Sequence, residues 1–365
     1  MSELTEYRFS FGPWNISEGA DPFGPEVRSP YSLEEKLDWY RPLGFEGVQF
    51  HDDDVVEGLN DLEHLQIMKR AREVGHALRD RGLTPEFVAP RLWFDPRTID
   101  GGYTSNDAAQ RKYALDRSIK AVDVAREVGT PNIVLWLARE GSYIRESKDA
   151  KTAYQRILDA VNLLLEYDEE IQVWIEPKPN EPMDHAYVPT IGHALALAYQ
   201  SVDPARVSGL IETAHAVLAG LDPSDEMAFA LAHDKLASVH LNDQNGLKFD
   251  QDKSFGAANL RSAYNQVRVL ERSGYGRRGE FIGLDVKAMR TQSQESSTAH
   301  LSNSRALFLH LLDKVRSADQ QLEQELIAAR DYEALEAYTL CLLLGVPTDA
   351  SSPRVETPAT AVQHA

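Results

Sequence analysis

Eight short apolar runs, each followed by a segment with helical periodicity, predict an α/β fold closed as a (β/α)8 barrel with a C-terminal helical arm. Three observations support this. Strict alternation of buried-type strands with amphipathic helices describes a parallel sheet covered by helices. Eight is the number of strands at which such a sheet closes. The unusual polar clusters fall just after the apolar runs, where a barrel of this kind carries its functional groups. An open doubly wound sheet is the alternative arrangement of the same alternation.

The strands are expected at Tyr7–Phe11, Gly47–Phe50, Leu83–Val88, Asn132–Leu135, Gln172–Ile175, Val207–Ile211, Lys235–Leu241 and Phe281–Leu284. Helical spacing of apolar residues places helices at Leu33–Tyr40, Leu62–Arg81, Ala108–Val128, Ala150–Tyr167, Ile191–Val202, Glu226–His233 and Leu260–Arg272, with a last one beginning near Ser302. Ser32 before Leu33-Glu34-Glu35 reads as an N-cap with acidic first-turn residues, and Asn106-Asp107 takes the same place before Ala108. Gly82 and Gly129 stop the helices that precede them. The barrel is expected over residues 1–300 and a helical arm over 301–347. Within the arm, Ala318–Leu344 is amphipathic, with Leu322, Leu326, Ile327, Leu335 and Tyr338 as contacts to the barrel or to another subunit. Residues 348–365, rich in Thr, Ser, Pro and Ala, are expected to be a mobile tail.

Composition narrows the function. A chain of 365 residues with 42% hydrophobic content can bury a large single core. The net charge of −19 argues against nucleic-acid partners, including those of metal-dependent DNA-repair barrels, because phosphate backbones are bound by clustered Lys and Arg. Cys341 is the only cysteine, which excludes an internal disulfide and a thiolate metal cluster. The segment Met1–Glu6 lacks the basic and apolar regions of a signal peptide, and no apolar run reaches 18 residues. A cytoplasmic protein without a membrane partner is expected.

The densest chemical signal is Ile175-Glu176-Pro177-Lys178-Pro179-Asn180-Glu181-Pro182, at the end of the apolar run Val173-Trp174-Ile175. A carboxylate held rigidly beside an ammonium is either a metal ligand with an electrostatic helper or a structural ion pair. The other strand ends favour the ligand. Glu176, Glu212, His240 and Asp285 supply oxygen and imidazole donors from four strands, and Glu212, His215, Asp250 and Asp252 supply a second set in which Glu212 bridges. Two cations sharing a carboxylate are a known means of polarising a substrate oxygen. Individually, each acid also reads as a loop cap or salt-bridge partner, and Asp250-Gln251-Asp252 as ordinary turn chemistry. His51 with Asp54 suggests a proton-transfer pair in which the carboxylate fixes the imidazole tautomer; the plainer reading is a solvated acidic turn. Trp14, Phe23, Trp93 and Trp136 are candidates for apolar walls around a reactive carbonyl, or for core.

Several of these stretches together resemble the class I xylose isomerases. They are Phe50-His51-Asp52-Asp53-Asp54, the Ile175–Pro182 run, Lys248-Phe249-Asp250-Gln251-Asp252 with Phe255-Gly256, and Asp285-Val286-Lys287 with Arg290-Thr291. Asp21-Pro22-Phe23-Gly24 and Gly101-Gly102-Tyr103-Thr104-Ser105-Asn106-Asp107 also look like that family's loops. The resemblance runs from about Arg8 to Thr291. It implies a TIM barrel with two divalent cations (Mn, Mg or Co) that interconverts an aldose and a ketose. His51, oriented by Asp54, would assist ring opening. Lys178 and the cations would polarise substrate oxygens while a hydride moves between adjacent carbons, shielded by Trp14, Trp93 and Trp136. Asn242 and Lys287 would contact substrate, and Phe23 would reach a neighbouring subunit's site in a homotetramer or homodimer.

The departures are as informative. His240-Leu241-Asn242-Asp243 stands where the family has Asp-Leu-Asn-Gly, so imidazole replaces a carboxylate, which favours Mn or Co over Mg. Ala214 separates Glu212 and Thr213 from His215, where the family has glycine. Ala89-Pro90-Arg91 replaces small polar residues that contact sugar hydroxyls, and Arg91 suits either an anionic or larger substrate or a surface salt bridge. A Glu, acid, His, acid ligand set also resembles ketose 3-epimerases and C-glycoside-cleaving enzymes of the wider group. Proton transfer on a keto-sugar or oxidised glycoside is therefore the alternative reaction, and a non-catalytic sugar-binding barrel a third reading.

Overall fold

The computed structural model describes residues 6–21 and 23–347. Eight parallel strands close a barrel: β1 (Arg8–Phe11), β2 (Gly47–His51), β3 (Thr84–Ala89), β4 (Asn132–Trp136), β5 (Gln172–Glu176), β6 (Val207–Glu212), β7 (Leu236–Leu241) and β8 (Phe281–Leu284). Each strand pairs with its sequence neighbours, and β1 closes on β8 with Arg8 opposite Phe281 and Phe11 opposite Leu284. The open-sheet alternative is therefore excluded. The covering helices are α1 (Leu33–Leu43), α2 (His64–Asp80), α3 (Ala108–Val128), α4 (Ala150–Tyr167), α5 (Ile191–Gln200), α6 (Pro223–Ala232), α7 (Leu260–Ser273) and α8 (Ala299–Ser317).

The helix ends have the chemistry their sequences suggest. Ser32 and Glu35 form a reciprocal capping box at α1, Asp107 caps α3, and Gly129 ends α3 in the left-handed conformation. Helix α6 begins three residues earlier than expected, because Asp222 caps it and Pro223 occupies its first position, where no backbone donor is needed. The acidic run after β2 is a turn of helix, Asp52–Val55, whose three aspartates face the positive end of the backbone dipole.

Apolar strand residues fill the barrel wall, but its interior also holds a polar bridge. Gln49 Nε2 donates to Ser10 Oγ and to Glu86 Oε2, both at 3.1 Å, and Ser238 Oγ donates to Glu86 Oε1 at 2.7 Å. This joins β1, β2, β3 and β7 across the core without leaving Glu86 bare. Outside the strands, Tyr40 of α1 stacks on Phe11 at 3.8 Å and donates its hydroxyl to the Phe11 carbonyl. Phe308 of α8 meets Tyr7 and Phe9 edge-on at 5.2 and 5.4 Å.

One compact unit ends at Leu309 and a second begins at His310, so the barrel unit extends past the expected boundary at 300 and into α8. The expected single helix over Ala318–Leu344 is two helices, α9 (Gln320–Ala329) and α10 (Tyr332–Leu344). Arg330 at φ 56° breaks the run and Asp331 caps α10 through the Ala334 amide. Of the proposed arm contacts Tyr338 is buried, Leu322, Leu326 and Leu335 are half-buried, and Ile327 is exposed. The expected mobile tail, 348–365, lies outside the described residues. Among the described residues, no helix is long and apolar enough to cross a membrane.

The loops after β1 and β8 are clasped together. Arg28 donates to the carbonyls of Ser17, Ala288, Met289 and Gln292, and Asn15 Oδ1 accepts from the Val286 amide. Buried His300 donates from Nε2 to the Asn15 carbonyl at 2.9 Å, while its Nδ1 has no partner. Burial holds its pKa down at about 4, against an ordinary 6.5. Between these two values an unfolded chain takes up a proton that the folded chain refuses. Stability from this group is therefore complete above about pH 6.5 and is lost as pH falls toward 4. Lowering the pH from 7.5 to 5 should cost on the order of 2 kcal/mol at this residue. Thermal melts at the two pH values should show a smaller acid shift for His300→Leu than for the natural chain.

Candidate functional site

The C-terminal ends of the strands open into one cavity of about 470 Å³. Strand register places the acids. Glu212, at the end of β6, lies directly opposite His240 on β7, and Glu176, at the end of β5, lies opposite Trp136 on β4. Gly283 lets β8 approach, since a Cβ there would stand 2.3 Å from the Val239 carbonyl oxygen. Asp285 follows β8, and Trp14 Nε1 donates to its Oδ1 at 2.9 Å.

Every residue of the two expected ligand sets lines this cavity. Ligand atoms of Glu212, His240 and Asp285 lie within 4.8 Å of one another, as do those of Glu212, Asp250 and Asp252, and of Glu176, Glu212 and His215. Glu212 is common to all three groups. His240 Nδ1 lies 3.1 Å from Glu176 Oε1, and His215 Nε2 lies 3.3 Å from Glu212 Oε2 and 3.2 Å from Asp250 Oδ2. Burial works against charge on both imidazoles. The carboxylates outweigh it, raising the pKa of His215 and taking that of His240 well above its ordinary value. The cluster nevertheless contains more carboxylate than it can balance. Burial pushes Glu212 well above the carboxylate range, and burial together with Asp250 raises Asp252 to about 8. Among the described residues, Asp250 Oδ1 and His215 Nδ1 are buried without a hydrogen-bond partner. Excess buried acid with unused donor atoms is what a divalent cation would satisfy.

The two sets differ in how they are compensated. Lys178 Nζ binds Asp250 Oδ2 at 2.8 Å and approaches Glu181 Oε2 at 3.5 Å, and Lys287 pairs with Asp252. No Lys or Arg forms an ion pair with Glu176, Glu212 or Asp285 among the described residues. Glu181, at φ 62°, and Asp252, at φ 46°, hold a backbone conformation unfavourable to side chains. Their partners hold them there: Glu181 Oε2 accepts the Asp250 amide at 2.9 Å, and Lys287 donates its amide to the Asp252 carbonyl at 2.7 Å.

On the β1–β4 side, His51 lies between Trp14 at 4.2 Å and Trp93 at 5.0 Å, and Trp93 meets Trp136 edge-on at 4.4 Å. Asp54 Oδ2 is 3.0 Å from His51 Nδ1, as expected, and also accepts the His51 amide. Arg91 Nη2 reaches the same Nδ1 at 2.6 Å. Its guanidinium also lies 3.3 Å from Asp53 and 3.4 Å from Asp54. Arg91 thus lines the cavity, but as part of an ion-pair network rather than as a free anion receptor. His51, Asp53 and Asp54 also come within metal-ligating range of one another, but Arg91 and Arg117 already supply the positive charge there.

Two residues expected at the substrate lie away from the lining of this cavity. Asn242 does not line the cavity: it is fully buried, accepts the Ala214 amide, and donates to Glu212 Oε1 at 2.8 Å and Asp252 Oδ1 at 3.2 Å. It braces both acids. Phe23 is 78% exposed and lies outside its own cavity, packing edge-on against Phe249, which does line it. The sequence reading missed Arg139, three residues beyond the end of β4, along with Phe87 and Phe249. Position after a strand end was the one signal for Arg139.

A profile of the xylose isomerase-like TIM barrel family matches residues 37–299, most of the chain. The chain belongs to that family. Solved structures share the family's barrel at low identity. One is an L-ribulose 3-epimerase, 16% identical, covering 86% of this chain and 99% of its own with a TM-score of 0.62. Another is a xylose isomerase domain protein from Alicyclobacillus acidocaldarius, 14% identical, covering 85% and 99%, TM-score 0.59. A third is a 3-keto-D-glucoside 4-epimerase from E. coli, 14% identical, covering 83% and 100%, TM-score 0.55.

The turn that carries His51 and Asp54 is anchored by a buried ion pair. Arg117 of α3 donates from Nε and Nη2 to the two oxygens of Asp52, at 2.8 and 2.7 Å, and Asp52 is fully buried. Arg117→Met leaves that carboxylate without its cation and should cost about 3–5 kcal/mol. Denaturant titration should show that loss, and the Asp52→Asn, Arg117→Met pair should recover part of it.

Proposed function

We propose that this chain is a divalent-metal-dependent sugar isomerase that interconverts an aldose and a ketose by ring opening and a hydride shift. The observation that carries the reading is the meeting, in one cavity, of an acid-rich His/carboxylate cluster with the His51–Asp54 pair and Lys178. Glu176, Glu212, His240 and Asp285 would hold the first cation. Glu212, His215, Asp250 and Asp252 would hold a second, less strongly, because two lysines already neutralise its aspartates. An imidazole in the first set favours Mn or Co over Mg as the working ion. When bound, such a cation polarises a carbonyl and acidifies an adjacent hydroxyl.

The chain's own groups do the rest. Opening a sugar ring takes a proton from the anomeric hydroxyl and delivers one to the ring oxygen. A guanidinium can only donate and a carboxylate can only accept, so Arg91 and Asp54 compete for His51 Nδ1. With Arg91 on Nδ1, a neutral imidazole carries its hydrogen on Nε2 and can donate. With Asp54 on Nδ1, Nε2 is free to accept. The two neighbours thus support the two forms that ring opening needs. Lys178 is held as an ammonium, because the charge of Asp250 outweighs the opposing effect of burial, and it can donate to a substrate oxygen. Trp14, Trp93 and Trp136 exclude water from the carbons between which the hydride moves.

Proton transfer on a keto-sugar or oxidised glycoside is the second reading, favoured by His240 at the strand end opposite Glu212. The family assembly, a homodimer or homotetramer in the cytoplasm, would bring the exposed Phe23 to a neighbouring cavity.

Incubation of the Mn-loaded protein with aldoses in D2O separates the reactions. The hydride route predicts product that keeps the substrate hydrogen, and heavy deuterium incorporation at the migrating position would establish proton transfer instead. Lys178→Met should lower kcat by about 10²-fold or more. Asn242→Ala removes the amide that braces Glu212 and Asp252, and Mn affinity measured by calorimetry should weaken by about 10–100-fold.

A further inference from the structure

Four permanently cationic side chains, Arg91, Arg139, Lys178 and Lys287, line the cavity together with six carboxylates. Three of the four have acidic partners: Lys178 has Asp250, Lys287 has Asp252, and Arg91 has Asp53 and Asp54. Arg139 has none among the described residues. Its Nε donates to the Trp93 carbonyl at 3.1 Å, which fixes the plane of the guanidinium and leaves its two terminal amino groups without a protein acceptor. A guanidinium anchored through Nε presents a fork that matches a carboxylate or a phosphate.

Position and pairing point the same way. Arg139 belongs to the loop after β4, whereas the acid cluster is supplied by β5 to β8 and the loops that follow them. Those acids have Lys178, Lys287 and the two imidazoles beside them, and none of them pairs with Arg139 among the described residues. A half-buried cation in that state stabilises an anionic ligand more than a neutral one.

We propose that the sugar taken by this site carries an anionic substituent, a carboxylate or a phosphate ester, and that Arg139 binds it while the reacting carbons face the acid cluster. This deepens the isomerase reading and rests on it for the placement of the reacting end.

The test is a binding measurement on the full-length, Mn-loaded protein. Quenching of tryptophan fluorescence would be followed with D-glucuronate, D-glucose 6-phosphate and D-glucose. At least one acidic sugar should bind about tenfold or more tightly than glucose, with a preference that shrinks as salt is raised. Glucuronate and the phosphate ester distinguish a carboxylate receptor from a phosphate receptor. Arg139→Gln should collapse the gap between acidic and neutral sugars, and Arg139→Lys should retain part of it. Equal binding of all three sugars by the natural protein, or a preference that survives Arg139→Gln, overturns the proposal. If Arg139→Gln fails to fold in a thermal melt, the salt-dependent ranking by the natural protein and Arg139→Lys decides. Because the readout is binding, a protein that isomerises no aldose yet ranks acids above glucose loses the isomerase reading alone. One that isomerises neutral aldoses with no preference for acids loses this inference alone.

Discussion

Too much carboxylate in too little water is the constraint from which the rest of the mouth follows. Glu176 and Glu212 are almost fully buried, Asp285 is close by, and one imidazole, His240, sits among them. Buried charge of one sign is costly by several kcal/mol per group unless it is paired. The surroundings supply the pairing in graded fashion. Asn242 gives neutral donors to Glu212 and Asp252, Trp14 gives one to Asp285, and Lys178 and Lys287 give full charges to Asp250 and Asp252. The acids left without a Lys or Arg partner among the described residues are Glu176, Glu212 and Asp285, the place best suited to a cation.

Such a cluster is useful only if the loops that bring it together do not relax, and these loops are tied by charged groups bonded to backbone. Arg28 spends its donors on four carbonyls, holding the loop of Trp14 to that of Asp285. Glu140 accepts the amides of Gly102, Tyr103 and Thr104 and fixes the loop after β3 to that after β4. The two-residue ribbon Gly141–Ser142 with His185–Ala186 then joins the loops after β4 and β5. Gly141 has to be glycine, since a Cβ would stand 2.2 Å from the His185 carbonyl oxygen. Ordered loops on a closed barrel let residues far apart in sequence keep ångström-scale spacing.

The barrel was legible because its signal is periodic and repeated: eight alternations survive boundary errors of a few residues. The acids were legible because strand ends are special places in that fold. The residues that pattern left open are those whose role depends on which way a side chain turns. Asn242 follows β7 as expected, and it points inward between two carboxylates. Arg91 faces the cavity, yet the helical turn Asp52–Val55 delivers Asp53 and Asp54 to its guanidinium. The break at Arg330 was invisible for another reason. Helical apolar spacing continues across it, and one left-handed residue with a capping aspartate is enough to end a helix.

Excluding water raises the worth of every charge in the cavity and also the penalty for leaving one alone. The tryptophan walls therefore constrain the cations as firmly as burial constrains the acids. Lys178 lies 5.1 Å over the ring of Trp136 and still needs Asp250 beside it, and Arg91 has two aspartates in reach. Arg139 stands at the same aromatic wall, holds to it through the Trp93 carbonyl, and has no acid. A barrel that satisfies its other cavity cations from within, and leaves one to be satisfied from outside, has in effect specified the sign of the charge that should arrive with the substrate.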